Sequence, residues 1–403
     1  MKILSFTTLF PNVAQPRHGV FVEQRLLQLQ ATGEVELRVV APVPWFPLPE
    51  KLATQYFASY ARYAQVPANA ERHGVSVLQP KYPVIPKLGM NIAPALLAAR
   101  AAPVLKKLLA NGFDFDLIDA HYYYPDGVAA ALLGKRFNKP VTITARGSDL
   151  NLLPDYPLPR RWIKWAERQA AASITVSEAL RGKLIELGGN PQNIHTLRNG
   201  VDLQTFQPTH DRAALRSRLG FNRPTLLQVG NLVELKGQAL SIAAMRSLPE
   251  YDLVLVGDGE QRGELQTQID QLGLSDRVTL LGELPHSDLP GYFAAADALL
   301  LPSSREGLAN VLLEAMACGC PVIATHVGGT PEVVTEPAAG IMLSERSAAA
   351  LVNGVKQLFS QLPNRSETRQ HASQFGWQAT TDGLLELFRS VAGQPQALNN
   401  RPG

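Results

Sequence analysis

Cysteine is scarce in this sequence, and apolar runs long enough to cross a bilayer are absent. The two cysteines, Cys318 and Cys320, are one residue apart at an apolar helix end, too close for a structural disulfide. We interpret them as small buried residues, which favours a reducing compartment. No apolar run approaches the ~20 residues of a transmembrane helix. The N-terminal MKILSFTTLF lacks a small-residue cleavage site, so a strand explains it better than a signal peptide. We therefore expect a cytoplasmic protein.

The net charge is also small, +3 at pH 7, but it is unevenly distributed. Residues 1–200 carry 23 Lys and Arg against 14 Asp and Glu, whereas the remaining residues are net acidic. A basic half indicates an anionic partner. Because no nucleic-acid-binding motif accompanies it, we expect a charged acceptor or peripheral contact with the inner face of the cytoplasmic membrane, and no nucleic acid.

The stretch from residue 298 to 332 organises the rest of the chain. Residues 298–301 form a short apolar run closed by Pro302, as in a buried strand of a parallel sheet. The loop SSREGL follows, and apolar residues at helical spacing then run from about Ala309 until Gly319 and Pro321 end them. A second apolar run, 321–324, ends in GGTPE. With 403 residues, 45% of them hydrophobic, the chain is long enough for two α/β domains.

Two glutamates, Glu306 and Glu314, flank the start of this helix. On one continuous helix their spacing would mean about 12 Å of rise and about 80° of rotation, so they would not share a face. If Glu306 lies in the loop, the free N–H groups of the first helical turn lie between the two carboxylates, where phosphate binds. Carboxylates next to a dianion are tolerated when they accept hydrogen bonds from hydroxyl groups. We therefore assign Glu314 to a ribose and Glu306 to a hexose; the alternative is two solvated surface glutamates.

The segments LLLPS, EGLANVLLEAMACGCPVIAT and GGTPE closely resemble those of the retaining, nucleotide-sugar-dependent glycosyltransferases of the GT-B fold (family 4, group 1). With HYYYPDG at 121–127 and RGSD at 146–149, the chain is similar to the bacterial exopolysaccharide and teichuronic-acid-type subgroup. The resemblance implies two Rossmann-like α/β domains, each a doubly wound parallel sheet, facing a cleft. The acceptor-side domain would span residues 1–196, with 377–403 crossing back onto it, and the nucleotide-sugar-binding domain 197–376.

The reaction implied by the resemblance is transfer of a hexosyl group from a nucleotide-diphosphate sugar to a polysaccharide, lipid-linked or other glycan acceptor. Configuration would be retained, and neither a metal nor a separate cofactor would take part. The Asp-x-Asp motif of Asp114 and Asp116 could indicate a metal site. These residues precede a strand, at the sheet edge opposite the ligand crevice, so we expect no metal there.

In the second domain the resemblance assigns catalytic roles to Lys236 and Glu306. Lys236 lies in GNLVELKG, where the family has an arginine and a lysine on the diphosphate. Asn231 replaces that arginine and supplies no charge, so Lys236 carries more of the neutralisation, with help from Arg305 or Arg146. GELPHSDLP is expected to frame the base. The expected donor-binding set is Gly19, Asn199, Asn231, Lys236, Gly257, Glu306, Gly307, Leu308, Ala309 and Glu314.

In the first domain, His121 follows the strand over residues 117–120, where the family keeps a histidine near the donor sugar. It is the third expected catalytic residue, either bonding a sugar hydroxyl or carrying developing charge; the alternative is a structural histidine. Arg146 stands where many relatives have a histidine, and Arg146 and Asp149 are expected on the acceptor side. Arg146 would bind an anionic acceptor or a donor phosphate, or simply pair with Asp149. Gly19 either lets the backbone approach a ligand or marks a plain turn.

Three further segments have two interpretations each. The helices over residues 94–109 and 160–169 combine basic and apolar side chains, and could lie on an anionic bilayer or be ordinary solvated helices. Residues 42–94 are rich in prolines and aromatic residues and predict mainly loops, either an acceptor-side surface or an aromatic-packed insertion.

Rival functions come from three other classes. A nucleotide-sugar epimerase shares the GT-B fold but lacks the context of the two glutamates. A non-catalytic nucleotide-sugar-binding protein would bind the donor without turnover. A nicotinamide-dependent redox enzyme is disfavoured because Gly257, Gly259 and Gly263 have the wrong spacing for a dinucleotide fingerprint.

Overall fold

Two parallel sheets contain most of the strands of this chain. The computed structural model describes residues 1–46, 62–84 and 89–393. The chain divides into two units, Met1–Arg198 with Ala379–Gly403 and Asn199–Gln378. The division predicted from the sequence lay at residues 196/197 and 376/377. The α/β class with two parallel-sheet domains is confirmed.

The first unit is built on an eight-stranded sheet with a short two-stranded sheet beside it. Its strands are β1 (Lys2–Phe6), β2 (Glu36–Val40), β3 (Val43–Trp45), β4 (Asn69–Arg72), β5 (Val75–Leu78), β6 (Lys81–Pro83), β7 (Leu117–His121), β8 (Val141–Ala145), β9 (Ala172–Thr175) and β10 (Ile194–Thr196). Its helices are α1 (Val20–Ala31), α2 (Gly89–Ala110), α3 (Val128–Phe137), α4 (Ser148–Asn151), α5 (Pro157–Gln169) and α6 (Glu178–Glu186).

The strand order of the large sheet is β10-β9-β8-β7-β1-β2-β5-β4, and every pair is parallel except β4 with β5. Strands β7 and β8 are buried along their whole length, as expected for a parallel sheet covered on both faces. The carboxyl ends of these two central strands therefore carry His121 and the loop that begins at Arg146, which places both at one edge of the sheet.

The segment predicted to be mainly loops is the clearest error of the sequence analysis. Within its described part, residues 43–83 contain four strands, β3 to β6. Strands β4 and β5 form an antiparallel hairpin whose turn residues, His73 and Gly74, both have positive φ (50° and 78°). Two consecutive residues with positive φ are the hairpin geometry that matches strand twist. The rest of the segment, residues 47–61 and 85–88, lies outside the described residues.

The second unit contains a six-stranded, wholly parallel sheet in the order β13-β12-β11-β14-β15-β16. Its strands are β11 (Thr225–Val229), β12 (Asp252–Val256), β13 (Val278–Gly282), β14 (Ala298–Leu301), β15 (Val322–Thr325) and β16 (Gly340–Leu343). The helices after residue 198 are α7 (Arg212–Leu219), α8 (Gln238–Ala244), α9 (Arg262–Gln271), α10 (Leu289–Ala295), α11 (Asn310–Ala317), α12 (Ala348–Ser360), α13 (Arg365–Ser373) and α14 (Trp377–Ala392).

Each unit has its own apolar core. In the second unit, strand residues such as Leu253 and Leu300 pack with Leu351 of α12. In the first unit, the end of α14 contributes Leu384 and Phe388 to the core beneath β1 and α1. Cys318 and Cys320 are fully buried free thiols, in agreement with their interpretation as small core residues. Among the described residues, no helix combines the length and apolarity that a bilayer-crossing segment needs.

Candidate functional site

Helix α11 begins without a side-chain cap, directly after the loop that carries Glu306. Strand β14 is buried along its length and ends at Leu301, directly before Pro302, as predicted. Ala309 occupies the N-cap position in an extended conformation and has no side-chain oxygen to accept a bond from the first turn. The first N–H groups of a helix have no partner within the helix and carry partial positive charge. The start of α11 is therefore suited to an anion.

Lys236 and Glu306, two of the three expected catalytic residues, form an ion pair in the second unit. Lys236 Nζ lies 2.6 Å from Glu306 Oε1, and the two side chains are 23% and 10% exposed. Lys236 ends a short 3-10 turn after β11, and the carbonyl of the neighbouring Leu235 accepts the N–H of Ser304 at 2.8 Å. The loops after β11 and β14 therefore touch, and each contributes one charge to the pair.

Arg346 ties these two loops together. Its Nη2 donates to the Glu234 carbonyl at 2.7 Å, and its Nε donates to the Pro302 carbonyl at 3.0 Å. A further contact of 3.0 Å joins Nη1 to the Glu234 carboxylate. The sequence analysis missed Arg346, which lies over 100 residues beyond Glu234, and no local pattern marks it.

The GGTPE loop packs directly against the Glu306 loop. Gly329 donates its N–H to the Gly307 carbonyl at 2.9 Å. Gly328 has φ of +53°, and a Cβ added there would lie 2.0 Å from the Glu306 carbonyl oxygen. Only glycine fits this approach, so the spacing between the two loops depends on Gly328.

Replacing Gly328 with alanine should therefore displace the Glu306 loop and lower activity at least about tenfold, since small misplacements of reacting groups are costly. The matched control is Gly291→Ala in helix α10, where an added Cβ meets nothing within 4 Å. That control should keep full activity and gain up to about 1 kcal/mol of stability, because alanine favours helices more than glycine does. Activity and thermal unfolding of both variants check this, and equal activity of Gly328→Ala and Gly291→Ala would contradict the argument.

Glu314, on helix α11, contacts a histidine that the sequence analysis did not single out. His286 Nε2 lies 3.2 Å from Glu314 Oε1, with side chains 33% and 13% exposed. The imidazole also meets the Phe206 ring edge to face, with centroids 5.3 Å apart. His286 belongs to GELPHSDLP, the segment expected to frame the base. Its place in that segment was the signal by which the sequence could have pointed to it. These contacts fix the carboxylate that was assigned to the ribose.

Asn199 lies beside the start of α11. Its side-chain amide donates to Asn310 Oδ1 at 3.0 Å, and Asn199 is only 5% exposed. Asn310 is the first residue of the helix. The structure thus brings an expected donor-binding residue to the helix start, through a partner that the sequence analysis did not name.

Asn231 and the GDG loop surround an open cavity of about 440 Å³, lined by Asn231, Val233, Asp258, Gly259 and Glu283. Two carboxylates in this lining disfavour a phosphate and suit hydroxyl or amino groups. The placement therefore supports a hydrogen-bonding role for Asn231 more than a phosphate contact. Gly257 has φ of +140° and its added Cβ would lie 2.1 Å from the Gly230 carbonyl oxygen, so contact between two backbone loops already explains this glycine.

Leu308, also expected at the donor site, is buried in the loop just before α11. The remaining expected site residues lie in the first unit. His121 is fully buried, and its Nδ1 lies 2.8 Å from Arg146 Nη2. Asp149 is buried and accepts backbone N–H groups of Tyr123 at 2.8 Å and Gly147 at 2.7 Å. The backbone N–H of Arg146 also donates to Asp149, at 3.1 Å, so Arg146 and Asp149 are in contact.

Gly19 and the Asp-x-Asp pair have structural explanations. Gly19 is the N-cap of α1 with φ of +75°, and an added Cβ would lie 2.2 Å from the Leu9 carbonyl oxygen. Asp114 pairs with Lys139 at 2.6 Å, and Asp116 accepts the Lys2 backbone N–H at 2.7 Å. In the described part of the chain, no group of three or more His, Cys, Asp or Glu is placed to hold a metal ion.

Comparison with known proteins finds glycosyltransferase families that match both parts of the chain. Residues 211–375 match the family described as glycosyl transferases group 1, and residues 27–205 match glycosyltransferase family 4. The chain is 31% identical to the putative teichuronic acid biosynthesis glycosyltransferase TuaC of Bacillus subtilis, with 88% of each chain covered. It is 29% identical to a D-inositol 3-phosphate glycosyltransferase of Xylanimonas cellulosilytica, covering 86% of this chain and 88% of that one. Anabaena Alr3699/HepE in complex with UDP has the same fold, with a TM-score of 0.72, 24% identity and coverage of 97% and 100%.

Proposed function

Since the chain belongs to the group 1 glycosyltransferases, we propose that it moves a hexosyl group from a nucleotide-diphosphate sugar to a glycan, lipid-linked or polysaccharide acceptor. The proposal includes retention of configuration, with no metal and no separate cofactor. The donor would bind mainly to the second unit and the acceptor to the first.

The contact between Lys236 and Glu306, next to the start of α11, carries this proposal. The ammonium group of Lys236 neutralises the Glu306 carboxylate at 2.6 Å. When a donor binds, its diphosphate takes the place of Glu306 as a partner of Lys236, beside the N–H groups of the first turn. Glu306 then accepts hydrogen bonds from the hexose hydroxyls, and Glu314 accepts them from the ribose. As the glycosidic bond breaks, charge grows on the leaving diphosphate, where Lys236 and the helix N-terminus stabilise it.

The relatives suggest where to begin with substrates. A protein of the same fold binds UDP, so UDP-sugars are our first candidates for the donor. One relative is named for teichuronic acid biosynthesis and another for D-inositol 3-phosphate. We therefore propose an acceptor that carries negative charge, which also fits the basic composition of residues 1–200.

The test is incubation of the protein with radiolabelled UDP-sugars and either a bacterial membrane extract or D-inositol 3-phosphate. Transfer of label to lipid, polymer or inositol phosphate supports the proposal. Isomerised free donor would instead identify an epimerase, and tight binding without turnover would identify a sensor. Product stereochemistry by NMR tests retention. Activity that is unchanged in EDTA supports the metal-independent reaction.

We also propose that the first unit contacts an anionic bilayer through the region around helix α5. Three apolar side chains here are unusually exposed: Leu152 (36%), Tyr156 (44%) and Leu158 (39%). The exposed cations Arg160 and Lys164 follow them on the helix. A cavity of about 410 Å³ beside the helix is lined in part by Arg160, Lys164 and Lys183, and also by Asp155 and Glu186. Apolar side chains next to cations match the headgroup region of an anionic membrane.

The double variant Lys164→Glu/Lys183→Glu should bind phosphatidylglycerol vesicles at least about tenfold more weakly than the wild type, since each cation near the surface contributes about 1 kcal/mol. Co-sedimentation at low and high salt measures this. The matched control reverses two exposed cations of the second unit, Arg218→Glu/Lys356→Glu. An equal loss of vesicle binding in both double variants would show a general charge effect. That result would overturn the assignment of the membrane contact to α5.

A further inference from the structure

Four ionisable side chains of the first unit form a buried cluster at the carboxyl end of β7 and β8. Arg25 comes from α1, Asp119 and His121 from β7, and Arg146 from the loop after β8. Arg25, Asp119 and His121 are at most 1% exposed. Burial lowers the pKa of Arg25 to about 10, and the nearby Asp119 carboxylate opposes that shift. A cluster of this kind is costly unless its members satisfy one another.

The contacts within the cluster determine the tautomer of His121. Arginine has only N–H donors, so where Arg146 Nη2 lies 2.8 Å from His121 Nδ1, the ring nitrogen is the acceptor. A neutral imidazole that accepts at Nδ1 carries its proton on Nε2. His121 Nε2 lies 3.3 Å from Asp119 Oδ2, and Asp119 is held in turn by the Thr142 hydroxyl at 2.9 Å. Nδ1 therefore has a hydrogen-bond donor in Arg146, whereas Nε2 and Asp119 Oδ2 face each other in the buried cluster without a hydrogen bond.

The charge state of His121 follows from the same surroundings. Burial, and then the positive charges of Arg146 and Arg25, lower the pKa of His121 well below its usual value. The imidazole is thus neutral at pH 7. Nδ1 already accepts from Arg146, and Nε2 is buried without a hydrogen-bond partner, so a sugar hydroxyl could reach His121 only if the groups around it moved. This differs from the expectation that His121 itself contacts the donor sugar.

Arg146 is the member of the cluster with solvent-exposed surface, being half-buried where the other three are buried. Its guanidinium lies over the Phe21 ring, 5.4 Å from the centroid, and its backbone N–H bonds Asp149. An arginine held on one side by an aromatic ring and on another by an acceptor keeps a fixed orientation, which suits recognition of an oxyanion.

We infer that Arg146 is the side chain that contacts an oxyanion of the substrate, and that His121, as its neutral Nε2–H tautomer, positions Arg146. This inference rests on the proposed glycosyl transfer for its substrate. The oxyanion belongs either to the donor diphosphate or to an anionic acceptor. The two sources are separated by the probes UDP and D-inositol 3-phosphate.

The tautomer is tested without any activity measurement, by nitrogen-15 NMR of the histidine side chains in the full-length protein. The His121 signals, identified from their loss in His121→Asn, should show a protonated Nε2 and an unprotonated Nδ1 between pH 6 and 8. A protonated Nδ1, or titration of His121 within that range, would overturn the positioning role even if the protein transfers sugar. Conversely, the expected NMR signals do not depend on catalysis, so they would support the positioning role even if the protein did not transfer sugar.

The substrate contact is tested by side-chain NMR of arginine-labelled protein and by kinetics. Addition of UDP or of D-inositol 3-phosphate should shift the Arg146 signal, and the probe that does so identifies the source of the oxyanion. No shift with either probe overturns the inference. Arg146→Met should raise the KM for the corresponding substrate at least about tenfold with a smaller change in kcat, as expected for loss of a charge-assisted hydrogen bond.

Two further variants separate positioning from direct contact. His121→Leu removes the acceptor of Arg146 and should reproduce the KM increase of Arg146→Met. His121→Asn places an amide oxygen near the position of Nδ1 and should recover most of the affinity. Equal loss of kcat in both His121 variants would instead indicate direct participation of the imidazole. Arg38→Met is the matched control, because Arg38 also lies over a phenylalanine ring, that of Phe113, at 4.6 Å.

Discussion

Replacing Lys236 with methionine should lower the rate of glycosyl transfer about 100- to 1000-fold at saturating donor, the usual effect of removing one group that stabilises developing charge. Methionine keeps most of the side-chain volume and removes the ammonium. The effect should be large because Asn231, at the position where the resemblance implies a second cation, supplies no charge. Initial rates with the donor found in the screen measure the loss.

A loss of rate could also come from unfolding, because Lys236→Met leaves the carboxylate of Glu306 without its partner at 10% exposure. Breaking one half of a partly buried pair destabilises a protein more than removing both charges. The double variant Lys236→Met/Glu306→Gln should therefore recover the thermal stability of the wild type and remain inactive. Lys356→Met, at an exposed position of α12, should behave as the wild type in both respects. Recovery of activity in the double variant would contradict the role of Lys236.

Replacing Glu314 with alanine should weaken UDP binding about 10- to 100-fold, the equivalent of hydrogen bonds to a charged group. The carboxylate is 13% exposed and faces His286, so its loss removes an acceptor that is already held in place. Calorimetric titration with UDP measures the change, and kcat should fall much less than affinity.

His286→Ala should weaken UDP binding by a smaller factor than Glu314→Ala. It removes the contact that holds the Glu314 carboxylate but leaves the carboxylate itself in place. Glu264→Ala, at an exposed position in the first turn of α9, should leave UDP affinity unchanged. If Glu314→Ala binds UDP as tightly as the wild type does, the ribose assignment is wrong.

Local sequence patterns were sufficient for the elements that frame the second unit's site. The buried strands β14 and β15 are short apolar runs closed by Pro302 or by GGTPE, and α11 has apolar residues at helical spacing between Ala309 and Gly319. The loop position of Glu306 followed from the same pattern. These signals are local, which is why sequence analysis located them.

Contacts between distant parts of the chain were not predictable in this way. Arg346 reaches Glu234 through the fold and without any local pattern. His286 lies in a segment expected near the site, but its contact with Glu314 also depends on the fold. The same holds for Arg25, which looks like an ordinary helix residue in the sequence yet is buried beside Asp119. His121 was located correctly at the end of its strand, but its burial and its contact with Arg146 depend on the neighbouring strand and helix.

The hairpin of β4 and β5 shows a different kind of error. Its sequence, NAERHGVSVL, contains a His-Gly turn and alternating apolar residues in the second strand. Because prolines and aromatic residues flank this hairpin on both sides, loops were predicted for the whole segment. In the structure, strand pairing with β2 determines the conformation of this segment.

A crystal structure of the full-length protein with UDP tests the central claim most directly. The account predicts that the diphosphate lies at the start of α11, within hydrogen-bonding distance of the backbone N–H groups of Asn310 and Val311 and of Lys236 Nζ. It also predicts the ribose hydroxyls on Glu314. A diphosphate bound elsewhere, with Lys236 still paired to Glu306, would contradict it.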